Sequence, residues 1–150
     1  MERVSSGVGL PLRQRVLRPH ETIEQLRSRD DDAPETGNYV AFAGDEVVCT
    51  ASVRREAPPW GAAADRAWRL RGMATAEAWR SRGVGAQVLA AVVQHVADHG
   101  GGLLWCNARS PAVAFYRRAG FETRGDEWVD PEIGPHVAME RAVPSAVDGD

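Results

Sequence analysis

Residues 80 to 86 place two arginines and two glycines directly before an apolar helical pattern. The first turn of a helix leaves backbone N–H groups unpaired and carries partial positive charge, so it attracts anions. Gly83 and Gly85 let oxygen atoms approach the backbone, and Arg80 and Arg82 offer charge-assisted donors that suit phosphate. The stretch favours a pyrophosphate site; the alternative is a tight turn with solvated arginines. It lacks the Gly-Lys-Ser/Thr of the Walker motif and the third glycine of the dinucleotide fingerprint.

The flanking segments predict a strand before this stretch and a helix after it. Residues 67 to 75 alternate bulky and basic side chains, as in a strand. Apolar residues recur at helical spacing from Val84 to Val96, and the glycines at 100 to 102 end that helix. Residues 103 to 106 form an apolar run typical of a strand covered on both faces. This order of strand, helix and strand predicts a parallel βαβ crossover.

Other segments predict a hairpin, a second helix and a closing pair of strands. Residues 39 to 53 hold two runs rich in β-branched and aromatic residues around Gly-Asp-Glu, which is a hairpin signature. A second helix is predicted to begin at Ser110 as its N-cap, with Pro111 in the first helical position. Further predictions are an antiparallel pair at 121–129 and 135–143, a short strand or helix lead-in at 12–19, a short helix at 20–32 and a frayed tail at 144–150.

Two motifs in this order resemble the GNAT superfamily of N-acetyltransferases. Arg80, Gly83 and Gly85 match the R/Q-x-x-G-x-G/A acetyl-CoA motif of that superfamily. The second signature, A-x-x-F/L-Y-x-x-x-G-F, is matched by Ala112, Phe115, Tyr116, Gly120 and Phe121. The resemblance covers about residues 39 to 141. It departs where family members often carry an asparagine a turn ahead of the second helix, because this chain has Arg109 there and Asn107 two residues earlier.

The resemblance implies an α/β (α+β) fold with a mixed, mostly antiparallel sheet that is splayed between its fourth and fifth strands and flanked by helices. Residues 1–150 would form a single domain, with acetyl-CoA as cosubstrate in the opening of the sheet and no metal. The strand residues beside the pantetheine arm would be Met73, Ala74 and Thr75. The pyrophosphate would be held by Arg80, Ser81, Arg82, Gly83, Val84, Gly85 and Ala86, and Asn107 is a further candidate contact.

Acetyl transfer requires a proton donor for the leaving thiolate and a base for the attacking amine. The resemblance implies that Tyr116 is the donor, and the alternative is that its ring packs beside Phe115 in the core. Residues 67 to 75 lack the glutamate that some family members use as the base. Three substitutes stay open: Glu56 after the third strand, Glu127, and His136 in a G-x-P-H-x-x-M-like ending that a subset of the family also carries.

The acceptor is expected to be a primary amine of a small molecule or a peptide. Trp60 and Trp128 could wall an apolar pocket, and acidic loop residues could attract a cationic amine. The acidic set is Asp65, Asp126, Glu127, Asp130 and Glu132, for which the alternative is solvated loop acids. A second function, a non-catalytic acyl-CoA-binding or regulatory domain, also fits the missing glutamate.

Composition excludes several other classes of protein. A chain of 150 residues with 43% hydrophobic content can bury one core, and its net charge of −3 lacks the positive surplus of nucleic-acid binders. Cys49 and Cys106 lie in apolar runs outside any metal or disulfide spacing, so we expect small buried hydrophobes. No segment matches a signal peptide or a membrane span. We therefore expect a cytoplasmic protein without nucleic-acid or membrane partners, which could form a homodimer.

Overall fold

The computed structural model of the chain describes residues 1–22, 33–61 and 66–147. Strands β1 to β7 are Glu2–Val4, Gly37–Ala43, Glu46–Arg55, Ala67–Thr75, Gly102–Arg109, Glu122–Asp130 and Gly134–Val143. Helices α1 to α3 are Leu10–Leu17, Val84–Asp98 and Val113–Arg118, and 3-10 turns cover Ser6–Gly9, Glu77–Trp79 and Ser110–Ala112.

The sheet has the order β1-β2-β3-β4-β5-β7-β6, and β4 and β5 are its parallel pair. Antiparallel registers join β1 to β2, β2 to β3, β5 to β7 and β6 to β7. The parallel register pairs Ala67–Arg69 with Leu103–Trp105 and does not continue along the rest of β4. The predicted fold class, a mixed and mostly antiparallel sheet with flanking helices, is confirmed.

Two compact units divide these elements, and they alternate along the chain. The first unit holds Met1–Arg54 and Leu70–His95, so it contains β1 to β3, the end of β4 and most of α2. The second unit holds Arg55–Arg69 and Val96–Asp150, with the start of β4, β5, α3, β6 and β7. The interpretation of residues 1–150 as one domain stays a prediction.

The hairpin and the βαβ crossover form where the sequence predicts them. β2 and β3 are joined by a two-residue turn in which Gly44 takes a φ of 62°, a conformation that glycine adopts readily. On α2 the side chains of Val88, Leu89 and Val92 are buried, whereas Gln87 is exposed. The buried stripe at helical spacing explains why this segment is a helix.

Two predictions for helix starts need correction or completion. Residues 12–19, predicted as a strand or helix lead-in, lie in and just after α1. Ser110 is not the N-cap of α3: it opens the 3-10 turn that precedes that helix, and its hydroxyl donates to the Glu127 carboxylate at 2.7 Å. The Ser110 hydroxyl therefore binds Glu127, 17 positions later in the chain, instead of capping α3. Most of the predicted helix at 20–32, and residues 148–150 of the tail, lie outside the described residues.

Candidate active site

In the first unit, the segment between β4 and α2 turns through left-handed backbone. Ser81 has a φ of 63° and Gly83 has a φ of 82°. A Cβ on Gly83 would meet no atom of the described residues within 4 Å, so the space beside Gly83 is open in this part of the structure. The Gln87 N–H donates to the Gly83 carbonyl at 3.1 Å, which starts the hydrogen-bond ladder of α2.

The predicted pyrophosphate residues Val84, Gly85 and Ala86 occupy the first turn of α2. Their backbone N–H groups come before Gln87, the first residue of the helix whose N–H has an intrahelical acceptor, so the helix itself cannot satisfy them. Val84 and Gly85 are half-buried and Ala86 is exposed. The sequence prediction that an apolar helix begins directly after this turn is confirmed, and the turn offers donors beside open space.

Arg80 and Arg82 flank the turn with exposed side chains, and each makes a contact within the first unit. Arg80 Nε donates to the Thr75 carbonyl at 3.4 Å, at the end of β4. The Arg82 guanidinium lies 5.0 Å from the centroid of the Trp79 ring. Stacking on an indole restricts a guanidinium without using its hydrogen-bond donors. The sequence analysis missed Trp79, although an aromatic residue three positions before an arginine is a local signal.

The predicted pantetheine strand is the end of β4. Met73 and Thr75 are half-buried and Ala74 is buried. Thr75 Oγ1 lies 3.3 Å from Cys49 Sγ. Gly72, directly before Met73, has a φ of 62°, and a Cβ there would lie 2.7 Å from Arg13 Nε of α1.

In the second unit, Tyr116 lies on α3 between two aromatic rings. Its ring is edge-to-face with Phe115, with centroids 5.1 Å apart, and with Phe121, with centroids 5.4 Å apart. The residue is 6% exposed. Core packing of the ring is therefore present, and it leaves the role of the hydroxyl as a separate question because the ring and the hydroxyl occupy opposite ends of the side chain.

Glu56, the first candidate base, is engaged on both its side chain and its backbone. Its carboxylate accepts a hydrogen bond from Arg69 Nη1 at 2.8 Å. Its carbonyl accepts from Trp105 Nε1, also at 2.8 Å, and the Arg69 guanidinium lies 5.0 Å from the Trp105 ring centroid. Arg69 was not predicted from the sequence, because its partner Glu56 stands 13 positions earlier in the chain.

His136, the third candidate, is 5% exposed and lies on β7 between two neighbouring strands. Its ring is stacked on Trp128 of β6, with centroids 5.6 Å apart and an interplanar angle of 23°. Its Nδ1 lies 2.8 Å from the Gly134 carbonyl oxygen. Trp128 itself is 41% exposed.

Two of the acidic loop residues bind other groups of the second unit. The Glu127 carboxylate accepts from Ser110, and Asp130 Oδ1 accepts from the backbone N–H groups of Glu132 and Ile133. Asp126 is exposed, and Asp65 lies outside the described residues. The acidic set as an attractor of a cationic amine stays a prediction.

Trp60 makes a hydrogen bond and a ring contact within the second unit. Its Nε1 donates to the Glu140 carboxylate at 3.1 Å, and its ring is edge-to-face with Trp105, with centroids 5.5 Å apart. Arg124 donates to the same carboxylate at 3.2 Å and lies over the Trp60 ring. Trp60 therefore acts as the centre of an aromatic and ionic cluster, which the sequence did not predict.

Asn107, the remaining predicted coenzyme contact, is exposed on β5. It lies opposite Ala138 of β7 in the antiparallel register. Arg109, which stands where family members often have asparagine, is half-buried and lies opposite His136.

The chain is similar in sequence to a known family and to a curated relative. The model of a family described as the acetyltransferase (GNAT) family matches residues 10–121. The uncharacterized N-acetyltransferase YitI of Bacillus subtilis (strain 168) is 32% identical over 132 residues, which are 88% of each chain.

Solved structures share the fold at lower identity. The ribosomal-protein-S18-alanine N-acetyltransferase from Escherichia coli superposes with a TM-score of 0.74 and 14% identity, over 99% of this chain and 96% of that one. An aminoglycoside 6'-N-acetyltransferase complexed with coenzyme A superposes with a TM-score of 0.69 and 14% identity, over 95% and 92% of the two chains. Among the described residues, no helix has the length and apolar character that crossing a membrane requires.

Proposed function

Because this chain belongs to the acetyltransferase (GNAT) family and is an N-acetyltransferase, we propose that it transfers the acetyl group of acetyl-CoA to a primary amine. The acceptor is a small molecule or a peptide, and its amine attacks the thioester directly. The observation that carries the proposal is the turn before α2, where open space at Gly83, unpaired helix N–H groups and two exposed arginines meet.

Coenzyme A fits this turn for chemical reasons. Its pyrophosphate needs several donors and positive charge, which Arg80, Arg82 and the N–H groups of residues 84–86 supply. A Cβ at Gly83 would intrude on the approach of the phosphate oxygens, and its positive φ would be strained. The preceding strand residues Met73–Thr75 would pair with the pantetheine amides through their backbone.

Tyr116 is proposed as the proton donor to the leaving thiolate. The rings of Phe115 and Phe121 fix its aromatic ring, so the hydroxyl would be presented in one orientation. A phenol remains protonated at neutral pH and can therefore donate to a thiolate as the C–S bond breaks. Family membership favours this catalytic interpretation over a non-catalytic binding domain.

The fold and the acidic residues that bind protein groups both bear on the class of acceptor. The names of two structural neighbours describe acetylation of a protein alanine and of an aminoglycoside, so the fold accommodates peptide and small-molecule amines. Glu56, Glu127 and Glu140 are each bound to protein groups. The acceptor's affinity would then depend less on a free carboxylate than on the shape of the site.

The direct test is to incubate the protein with acetyl-CoA and a panel of primary amines that includes amino sugars, polyamines, amino acids and short peptides. The expected result is release of free coenzyme A thiol together with an acceptor that is 42 Da heavier, about the mass of one acetyl substitution. Reactions without amine measure background hydrolysis. Absence of both thiol release and acetylated product across the panel, with a protein that still binds acetyl-CoA, would contradict the proposal.

A further inference from the structure

Three side chains form one row across the last three strands of the sheet. Arg109 of β5 and Trp128 of β6 both lie opposite His136 of β7 in the antiparallel registers. Directly opposed residues project to the same face of a sheet, so the side chains of Arg109, His136 and Trp128 leave the sheet on one face. The imidazole is the central member, and the Trp128 ring covers one of its faces.

The hydrogen bond of His136 fixes its tautomer. The Gly134 carbonyl can only accept, so Nδ1 must carry the proton in the 2.8 Å contact. In the neutral imidazole the lone pair is then on Nε2. Within the part of the chain that the structure describes, Nε2 makes no hydrogen bond. The ring is thus oriented, and its basic nitrogen is the one left available.

We infer that His136 is the proton acceptor for the attacking amine, with Trp128 as the residue that positions its ring. This inference rests on the proposed function and deepens it by separating His136 from the competing candidate. The Glu56 carboxylate already accepts a 2.8 Å hydrogen bond from Arg69, so that oxygen is engaged by a protein donor. Among the described residues, no donor occupies Nε2 of His136 in this way.

The acceptor reacts as a neutral primary amine. Its nitrogen forms a bond to the thioester carbonyl carbon while the C–S bond breaks, and its proton passes to His136 Nε2. The thiolate leaves with the proton of the Tyr116 hydroxyl. The products are an amide and coenzyme A thiol, and solvent returns the His136 proton to Tyr116. An acceptor that arrives as an ammonium ion first releases one proton to solvent.

Charged residues lie near His136 on both neighbouring strands. Arg109 lies directly opposite on β5, and Glu127 and Asp130 flank Trp128 on β6 with their carboxylates bound to Ser110 and to backbone N–H groups. The turn Ser110–Ala112, which contacts β7, carries no charge. An imidazole must be neutral to accept a proton, so the proposed role requires the deprotonated ring and gives the pH profile an acidic limb.

The kinetic test compares His136→Gln with the wild-type protein, using an amine from the panel that the wild type acetylates. We expect kcat to fall about 100-fold or more, with an unchanged KM for acetyl-CoA and loss of the acidic limb of the pH profile. Added imidazole should partly restore the activity of His136→Ala. A His136→Gln variant that keeps wild-type kcat and the same acidic limb overturns the inference.

His95→Gln is the matched control, because His95 is also buried but both of its ring nitrogens contact protein oxygens, from Tyr39 and Glu35. It should retain the acidic limb. Trp128→Phe should keep most of the activity, and Trp128→Ala should lower kcat while leaving the KM for acetyl-CoA unchanged. Equal activity of Trp128→Ala and wild type removes the positioning role.

A measurement on the wild-type protein keeps the inference independent of variant folding and of acceptor identity. Long-range nitrogen–proton spectra of the histidine-labelled protein should show the Nδ1–H tautomer for His136 at alkaline pH. The Nε2–H tautomer would overturn the inference even if acetylation is observed. If no amine is acetylated, the proposed function fails separately, and the spectrum still decides whether Nε2 is the basic nitrogen.

Discussion

Glu56 and His136 differ in what their polar atoms already contact, and the sequence could not show that difference. Both residue types can accept a proton, and both stand beside predicted strands. The Glu56 carboxylate is held by Arg69, and the Trp105 indole holds its backbone, across separations of 13 and 49 residues. Local patterns predict residue types and elements, whereas partners at such separations depend on the folded chain.

Tyr116→Phe tests the proposed acid with little change in packing. The ring contacts with Phe115 and Phe121 survive, so thermal stability should stay near that of the wild type. If the hydroxyl protonates the thiolate, kcat should fall about 100-fold or more, as is typical of acid catalysis. Tyr39→Phe is the matched control, because it removes a hydroxyl that contacts His95 instead. Unchanged turnover in Tyr116→Phe rejects the acid role.

The buried thiol of Cys106 should make the stability of the protein fall with pH in the alkaline range. Burial raises the pKa of its thiol to about 12, from an ordinary value of 9.0. Above pH 9 the unfolded chain releases this proton while the native chain retains it, so the free energy of unfolding falls as pH rises toward 12. By pH 10.5 this effect lowers the free energy of unfolding by about 1 to 2 kcal/mol. The sequence contains no lysine, so lysine side chains add nothing in this range.

Denaturant unfolding of the wild type and Cys106→Val between pH 8 and 10.5 measures this slope. The wild type should lose more stability than the variant, and Cys49, whose pKa burial also raises, should leave a residual slope in both. Equal losses of unfolding free energy with pH in the wild type and in Cys106→Val would contradict the prediction. Native protein should also react slowly with thiol reagents at pH 8, since the thiolate is the reactive form.

At the scale of elements, the hairpin and the crossover were predictable because each depends on neighbouring residues. Gly44 marks the turn of the hairpin, and the apolar stripe of α2 continues until the glycines that follow it. The start of α3 was mispredicted because Ser110 binds Glu127 of another strand instead of capping. Non-local contacts override local capping preferences where a better acceptor is nearby.

Gly83→Ala should weaken coenzyme A binding by distorting the turn before α2. A side chain at a φ of 82° costs about 1 to 2 kcal/mol, although no atom lies within 4 Å of the new Cβ. Gly44→Ala is the matched control, because it has a φ of 62° and equally open surroundings but lies in the β2–β3 turn. Both variants should lose stability, and Gly83→Ala alone should lose affinity in calorimetric titration. Equal coenzyme affinity in the two variants would remove Gly83 from the site.

At the scale of the molecule, the closing strands reverse their sequence order in the sheet, because β7 lies next to β5 and β6 forms the edge. The antiparallel pairing of these strands was predicted, but their order was not. The reason is visible in their side chains: β7 buries Val137, Ala138 and Met139 in succession, whereas nearly every residue of β6 is exposed. A strand covered on both faces takes the inner position, and a polar strand is suited to an edge.

Coenzyme A should raise the melting temperature of the whole chain, because a ligand that binds the native state alone stabilises it. At a concentration 100 times Kd the gain is about 2.7 kcal/mol, and for a chain of this size each kcal/mol shifts Tm by about 2 to 4 °C. The expected shift is therefore about 5 to 10 °C by scanning calorimetry. Replacing both Arg80 and Arg82 by Ala should reduce it at the same concentration, since each phosphate contact contributes about 1 to 3 kcal/mol. Arg118→Ala, which removes an exposed arginine of α3, should leave it intact. An unchanged Tm at millimolar coenzyme A would contradict the assignment of the turn before α2 as its binding site.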